Sequence, residues 1–185
     1  MTGRQLNHVL IIRVCWRGQL EGRTHPSFAV HSVEPEPGWP VGRKGLMLAS
    51  LWRQVVPAGS DGMLICDGDV VIDPHDMAAM TEAACGEPDA VHTAPVKLWP
   101  RATGFPDWVW AHAPADGYGQ ADVDDPVMFS FGFTFLPAWL IDRAIKDGLD
   151  SWHYPNVDRG MWQTARDYSV PVRVVRDCHP RHLNY

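Results

Sequence analysis

Short apolar runs alternate with amphipathic stretches through the first half of the chain. His8 to Val14 (HVLIIRV) is β-branched and predicts a buried first strand, and Ser27 to Val33 (SFAVHSV) predicts a second. Glu34 to Gly42 is broken by three prolines and two glycines and reads as loop. Leu48, Leu51, Trp52 and Val55 then recur at helical spacing, closed by Pro57 and Gly59. Gly62 to Cys66 is a fully apolar strand that runs straight into Asp67-Gly68-Asp69. The next helix is announced by its cap: Asp73 suits the N-cap, Pro74 the first helical position and Asp76 the capping-box position. Met77, Met80, Thr81 and Ala84 form its inner face, and Asp89 to Val96 reads as a strand.

The second half opens irregularly. Leu98 to Pro126 carries Trp99, Trp108 and Trp110 without periodicity, and a loop of nearly thirty residues inside a compact domain is usually functional. Val127 to Leu136 (VMFSFGFTFL) reads as an aromatic strand interrupted by Gly132. Pro137 opens a helix that turns Ile141, Ala144 and Ile145 inward and stops at Gly148. Asn156 caps another, with Val157, Met161, Thr164, Ala165 and Tyr168 on one face. Val170 to Val175 is a last strand, and a polar tail runs from Asp177 to Tyr185. Strands and helices in alternation predict an α/β class with a largely parallel sheet, and 185 residues suit one domain.

Composition narrows this only a little. A net charge of -6 argues against a partner held by bulk positive charge, although a local basic patch is compatible with it. No apolar run approaches the ~20 residues that span a bilayer, and the N-terminus shows no apolar signal-peptide core. The expectation is a protein with no membrane partner, in the cytoplasm of a bacterial or phage-infected cell. Cys15, Cys66, Cys85 and Cys178 form no CxxC pair and read as reduced structural thiols. Arginine far outnumbers lysine, which suits a GC-rich genome, bacterial or phage.

The candidate chemistry centres on Asp67 and Asp69. In open α/β sheets ligands sit beyond the carboxyl ends of the strands, so two acids there face a binding crevice. Flanking a glycine, they suit a hard divalent cation that also binds phosphate oxygens. A solvated Asp-Gly turn is the plain alternative.

With those residues in view, Asp61 to Met77 (DGMLICDGDVVIDPHDM) resembles the DxD region of GT-A glycosyltransferases, family-2-like enzymes in particular. There a strand ends in the acidic motif and a Pro-Asp-capped helix follows. The resemblance implies a single GT-A-like, Rossmann-like domain with a mixed, mostly parallel central sheet and flanking helices. Residues 1–97 would form the nucleotide-sugar and metal half, and 98–185 the acceptor half. It implies Mn²⁺ or Mg²⁺ against the donor diphosphate, held by Asp69 and Asp67, with Asp67 alternatively serving the ribose. A UDP-sugar is the first donor to expect, although the acid that contacts uracil in the family has no evident counterpart here.

Further residues follow the family's order. Asn156-Val157-Asp158 falls where these enzymes place an acidic motif whose last residue deprotonates the acceptor, so Asp158 becomes the candidate base. Valine stands where the family has glutamate. A helix dipole lowers a first-turn carboxyl pKa, so burial would have to offset it; plain helix-end stabilisation is the alternative. His179 is the candidate third metal ligand, with His182 its rival. Arg43 and Lys44 fall where the family keeps a basic residue near the donor, and with helix N-terminal amides they suit a diphosphate. Phe131-Gly132-Phe133 resembles an acceptor-side segment, though its aromatics read equally as core. Among the loop indoles, Trp110 and Trp152 are candidates to stack on the acceptor.

The implied activity is transfer of a sugar to an acceptor hydroxyl, with inversion, by a small enzyme of bacteriophage type. The acceptor is open: a protein, a small molecule or a hydroxylated base of modified DNA. Two other readings remain. Asp67-Gly-Asp-Val70 with Asp124-Asp125 also resembles the acids of haloacid-dehalogenase-like phosphatases, and the scaffold could bind a sugar or nucleotide without turnover.

Overall fold

The computed structural model describes residues 9–14, 30–33, 44–55, 59–67, 70–95, 97–98, 109–110, 129, 131–152 and 156–182. The principal sheet contains β1 (Val9–Val14), β2 (Val30–Val33), β3 (Gly62–Asp67), β5 (Val91–Thr93), β8 (Phe133–Pro137) and β9 (Val172–Val174). Their spatial order is β2-β1-β3-β8-β5-β9, and β8 runs antiparallel to both neighbours while the other pairs are parallel. A smaller sheet of two-residue strands, β4 (Val70–Val71), β6 (Lys97–Leu98), β7 (Val109–Trp110) and β10 (Arg181–His182), has the order β4-β10-β6-β7. The chain is therefore α/β with a mixed sheet.

Alternation along the strands divides the interior in two. Met63 and Ile65 of β3 and Leu136 of β8 pack with α1 (Lys44–Val55), α3 (Ala138–Lys146) and α4 (Asn156–Asp167). Leu64 and Cys66 of β3 and Phe133 and Phe135 of β8 turn to the opposite face and meet Met77, Met80 and Ala84 of α2 (Pro74–Gly86). A period of two lets one apolar strand feed two cores. Between β5 and β8 the buried hydroxyls of Thr93 and Thr134 pair at 2.8 Å, which satisfies both away from water.

The predicted helices form where the caps and periodicity put them. Asp73 accepts from the Asp76 N–H at 2.9 Å and the Asp76 carboxylate accepts from the Asp73 N–H at 3.2 Å, a complete capping box. The aromatic strand is shorter than its sequence suggests: it begins at Phe133, and Phe131 and Gly132 form a bend before it. The Phe131 N–H is donated to Asp158 instead of to a strand. Tyr168 lies off the inner face of α4, 41% exposed, under the Arg143 guanidinium at 5.4 Å from its ring centre. The helix ends at Asp167, and Ser169 turns the chain with φ 55°.

The tail is more than polar solvent-facing chain, since Cys178 is fully buried and residues 181–182 form β10. Cys66 and Cys178 are buried free thiols, and Cys85 is a half-buried one; Cys15 lies outside the described residues. Among the described residues, no helix is long and apolar enough to cross a membrane.

Candidate active site

The strand order makes a switch point. From β1 the chain goes out to β2, then returns through α1 to β3 on the other side of β1. Asp67 ends β3, in register with Val14 at the end of β1. Crevices at such reversals are where open α/β sheets bind ligands. The Asp67 N–H donates to the Gly132 carbonyl at 3.3 Å, so the bend before β8 is tied to this lip of the sheet.

Three charged side chains from three elements gather here. Lys44, in the first turn of α1, donates from Nζ to Asp67 Oδ1 at 2.7 Å; the two side chains are 7% and 28% exposed. The same ammonium lies 5.0 Å from the centre of the Phe131 ring, a cation–π contact. The Phe131 N–H donates to Asp158 Oδ2 at 3.1 Å.

Burial pushes the Asp158 carboxyl above its ordinary value. The Lys44 charge opposes that rise, the Asp67 charge adds to it, and the N–H groups of Phe131 and of Asp158 itself pull it down. Desolvation thus outweighs the favourable contacts at the helix start. A carboxylate above its usual range is a better proton acceptor near neutrality than a solvated one.

The halves 1–97 and 98–185 interleave at this point. β8 from the second lies between β3 and β5 from the first, and Asp158 meets the Lys44–Asp67 pair through Phe131. Asp67, Lys44 and Asp158 are thus brought together from widely separated stretches of chain. Arg43 and Asp69 lie outside the described residues, as does the Asp124-Asp125 pair. Trp110 contributes its backbone to β7.

Trp152 is half-buried and does structural work beside the site. A Cβ on Gly160 would stand 2.6 Å from Trp152 Cε3, and one on Gly45 would stand 2.2 Å from the Leu149 carbonyl oxygen and 2.8 Å from that of Trp152. The two glycines let α1 and α4 close on this segment, next to Lys44 and Asp158 in sequence. Nothing in the residue pattern marked this packing, because Gly45 meets Leu149 and Trp152 from a distant stretch of chain and Gly160 meets Trp152 across a loop.

Two histidines compete for the third ligand position. The His179 N–H donates to Asp76 Oδ1 at 2.6 Å, so this backbone is docked on the start of α2. Asp76, buried at 2% exposure, therefore serves the capping box and the tail at once, a second role its sequence position did not announce. His182 is paired with Val70 across β10 and β4, one residue from Asp69 in sequence.

As a metal site, the described residues alone are insufficient: no three of His, Cys, Asp and Glu among them form a group that could hold an ion. Asp67 Oδ1 already carries the Lys44 ammonium. A carboxylate such as Asp69, which lies outside the described residues, is the donor type that suits Mn²⁺ or Mg²⁺.

No protein-family model matches this chain, and no curated protein matches it. It is similar in fold to a solved structure described as "Crystal Structure of A197 from STIV". That likeness has a TM-score of 0.60 at 11% identity and covers 97% of this chain and 87% of that chain. At such identity the likeness is one of fold.

Proposed function

We propose that this chain is a glycosyltransferase with a GT-A-like fold, which moves a sugar from a nucleotide-sugar to an acceptor hydroxyl. The observation that carries the reading is the convergence of Lys44, Asp67 and Asp158 at the carboxyl lip of β3. Asp158, raised by burial, takes the hydroxyl proton as the acceptor attacks the anomeric carbon, and direct displacement inverts that carbon.

Asp69 with a C-terminal histidine, His179 or its rival His182, would hold Mn²⁺ or Mg²⁺, and when bound such an ion supplies positive charge to the leaving diphosphate. A UDP-sugar is the first donor to try. The acceptor is a hydroxyl on a soluble partner, and the half-buried Trp152 supports the walls of its site more than it offers a stacking face.

The test is turnover. The protein is incubated with a panel of nucleotide-sugars, Mn²⁺ and mixed acceptors, and release of the nucleoside diphosphate is followed. Asp158→Asn is expected to lower that rate by about 10²–10⁴-fold with donor binding retained. Release that is indifferent to Asp158→Asn contradicts the role of Asp158. Hydrolysis of p-nitrophenyl phosphate that is lost in Asp67→Asn, with no sugar transfer, gives the site to a phosphatase.

A further inference from the structure

Lys44 is a buried ammonium, and a buried ammonium needs a fixed partner because the interior cannot replace its lost hydration. Its partner is Asp67, at 2.7 Å. The face of Phe131 covers it at 5.0 Å, and the N–H of that same residue holds Asp158. Among the described residues, this ammonium stands with two carboxylates, where α1, β3, the bend before β8 and α4 meet.

A divalent ion bound to Asp67 would have to share a carboxylate with that ammonium. Two cations on one partly buried acid repel each other strongly. Swinging Lys44 aside to make room would strand its charge in the interior. Nor is Lys44 free to act as a simple phosphate clamp, because its charge is already committed to the acids beside it.

We infer that Lys44 is the built-in cation of this site: Asp67 anchors Lys44 instead of ligating a metal ion, and Lys44 positions Asp67 and, through Phe131, Asp158. Any ion brought by the donor then binds through other residues and does not need Asp67. Lys44 is a positioning residue, and its removal exposes Asp67 as a new ligand. The inference rests on the reading of the β3 lip as the donor site, but its test uses metal alone, so failure of the two can be told apart.

Mn²⁺ binding is measured by calorimetry and by the loss of the free-ion paramagnetic resonance signal, without donor or acceptor. Lys44→Met is expected to bind Mn²⁺ at least about tenfold more tightly than the native protein, since a charge that repelled the ion has gone. Lys44→Met/Asp67→Asn is expected to lose that gain, and Lys44→Arg, which keeps the charge, to bind as the native protein does. Equal binding in the native protein and Lys44→Met, including none in either, overturns the inference. Should Lys44→Met not fold, Asp67→Asn decides: measurable Mn²⁺ binding of unchanged affinity upholds the inference, and a tenfold or greater loss, or no binding in either protein, overturns it.

Discussion

Asp158 lies in the first turn of α4, where a helix dipole favours the charged carboxylate, yet burial outweighs that field and raises its pKa. A group raised in the folded state costs stability once the pH exceeds its unfolded value, and the full cost is present above the folded one. Asp158→Asn is therefore expected to melt higher than the native protein at pH 7 to 8, while its proposed transfer activity falls. The gap should close as pH falls towards the ordinary aspartate value, because both side chains are then neutral; calorimetry across pH reads this directly. A higher melting temperature at neutral pH with lost activity is the usual signature of a catalytic group held against its preference. His92 works in the opposite sense. Its Nε2 meets the Glu87 carbonyl at 2.8 Å, its Nδ1 is buried without a partner among the described residues, and burial lowers its pKa from 6.5. Stability tied to neutral His92 is present above that value and is lost as pH falls from it towards the lower folded value. His92→Phe is expected to flatten this acid limb; the Glu87 carbonyl keeps the Ala90 N–H as a partner. A limb of unchanged steepness would place the titrating group elsewhere.

Helix α2 and strand β3 were legible because their signals are local: an apolar run, a cap residue, a proline at the first turn and an acid three positions on all fall within one window. The start of β8 was not, because the fate of the Phe131 N–H is decided by Asp158 on another element. The same holds for Gly45 and Gly160, whose bare Cα positions read as neutral or unfavourable in a helix until the Leu149–Trp152 segment is seen against them. Gly45→Ala must displace backbone, since its nearest neighbour is the Leu149 carbonyl. The expected cost is about 1–3 kcal/mol, a fall in melting temperature of the order of 5 °C for a chain of this size, with loss of donor binding as Lys44 shifts. The nearest atoms to a Gly160→Ala methyl belong to the Trp152 side chain, not to backbone, and this change should cost less. Equal melting temperatures for Gly45→Ala and the native protein would mean that α1 does not approach that segment so closely.

Across the molecule, β10 pairs His182 with Val70 of β4, and the His179 backbone docks on Asp76 at the start of α2. Asp76→Ala is expected to loosen both the start of α2 and the tail, weakening any Mn²⁺ binding without touching Asp67; hydrogen exchange in residues 177–182 reads the loosening. The broad class could be read from the alternation of strands and helices, and so could the acidic lip of β3, because strand ends and caps are written in neighbouring residues. The partnership of Lys44 with Asp67 and the placing of Asp158 beside them depend on strand order, which periodicity does not encode. The central claim is that this assembled lip binds an activated sugar, and a thermal-shift panel of nucleotide-sugars with and without Mn²⁺ tests it most directly, because a ligand of the folded state raises the melting point with its occupancy. At least one nucleotide-sugar should raise it by several degrees, more so with Mn²⁺, and the rise should vanish in Lys44→Met/Asp67→Asn; a panel that leaves the native protein unmoved at millimolar concentrations contradicts the account.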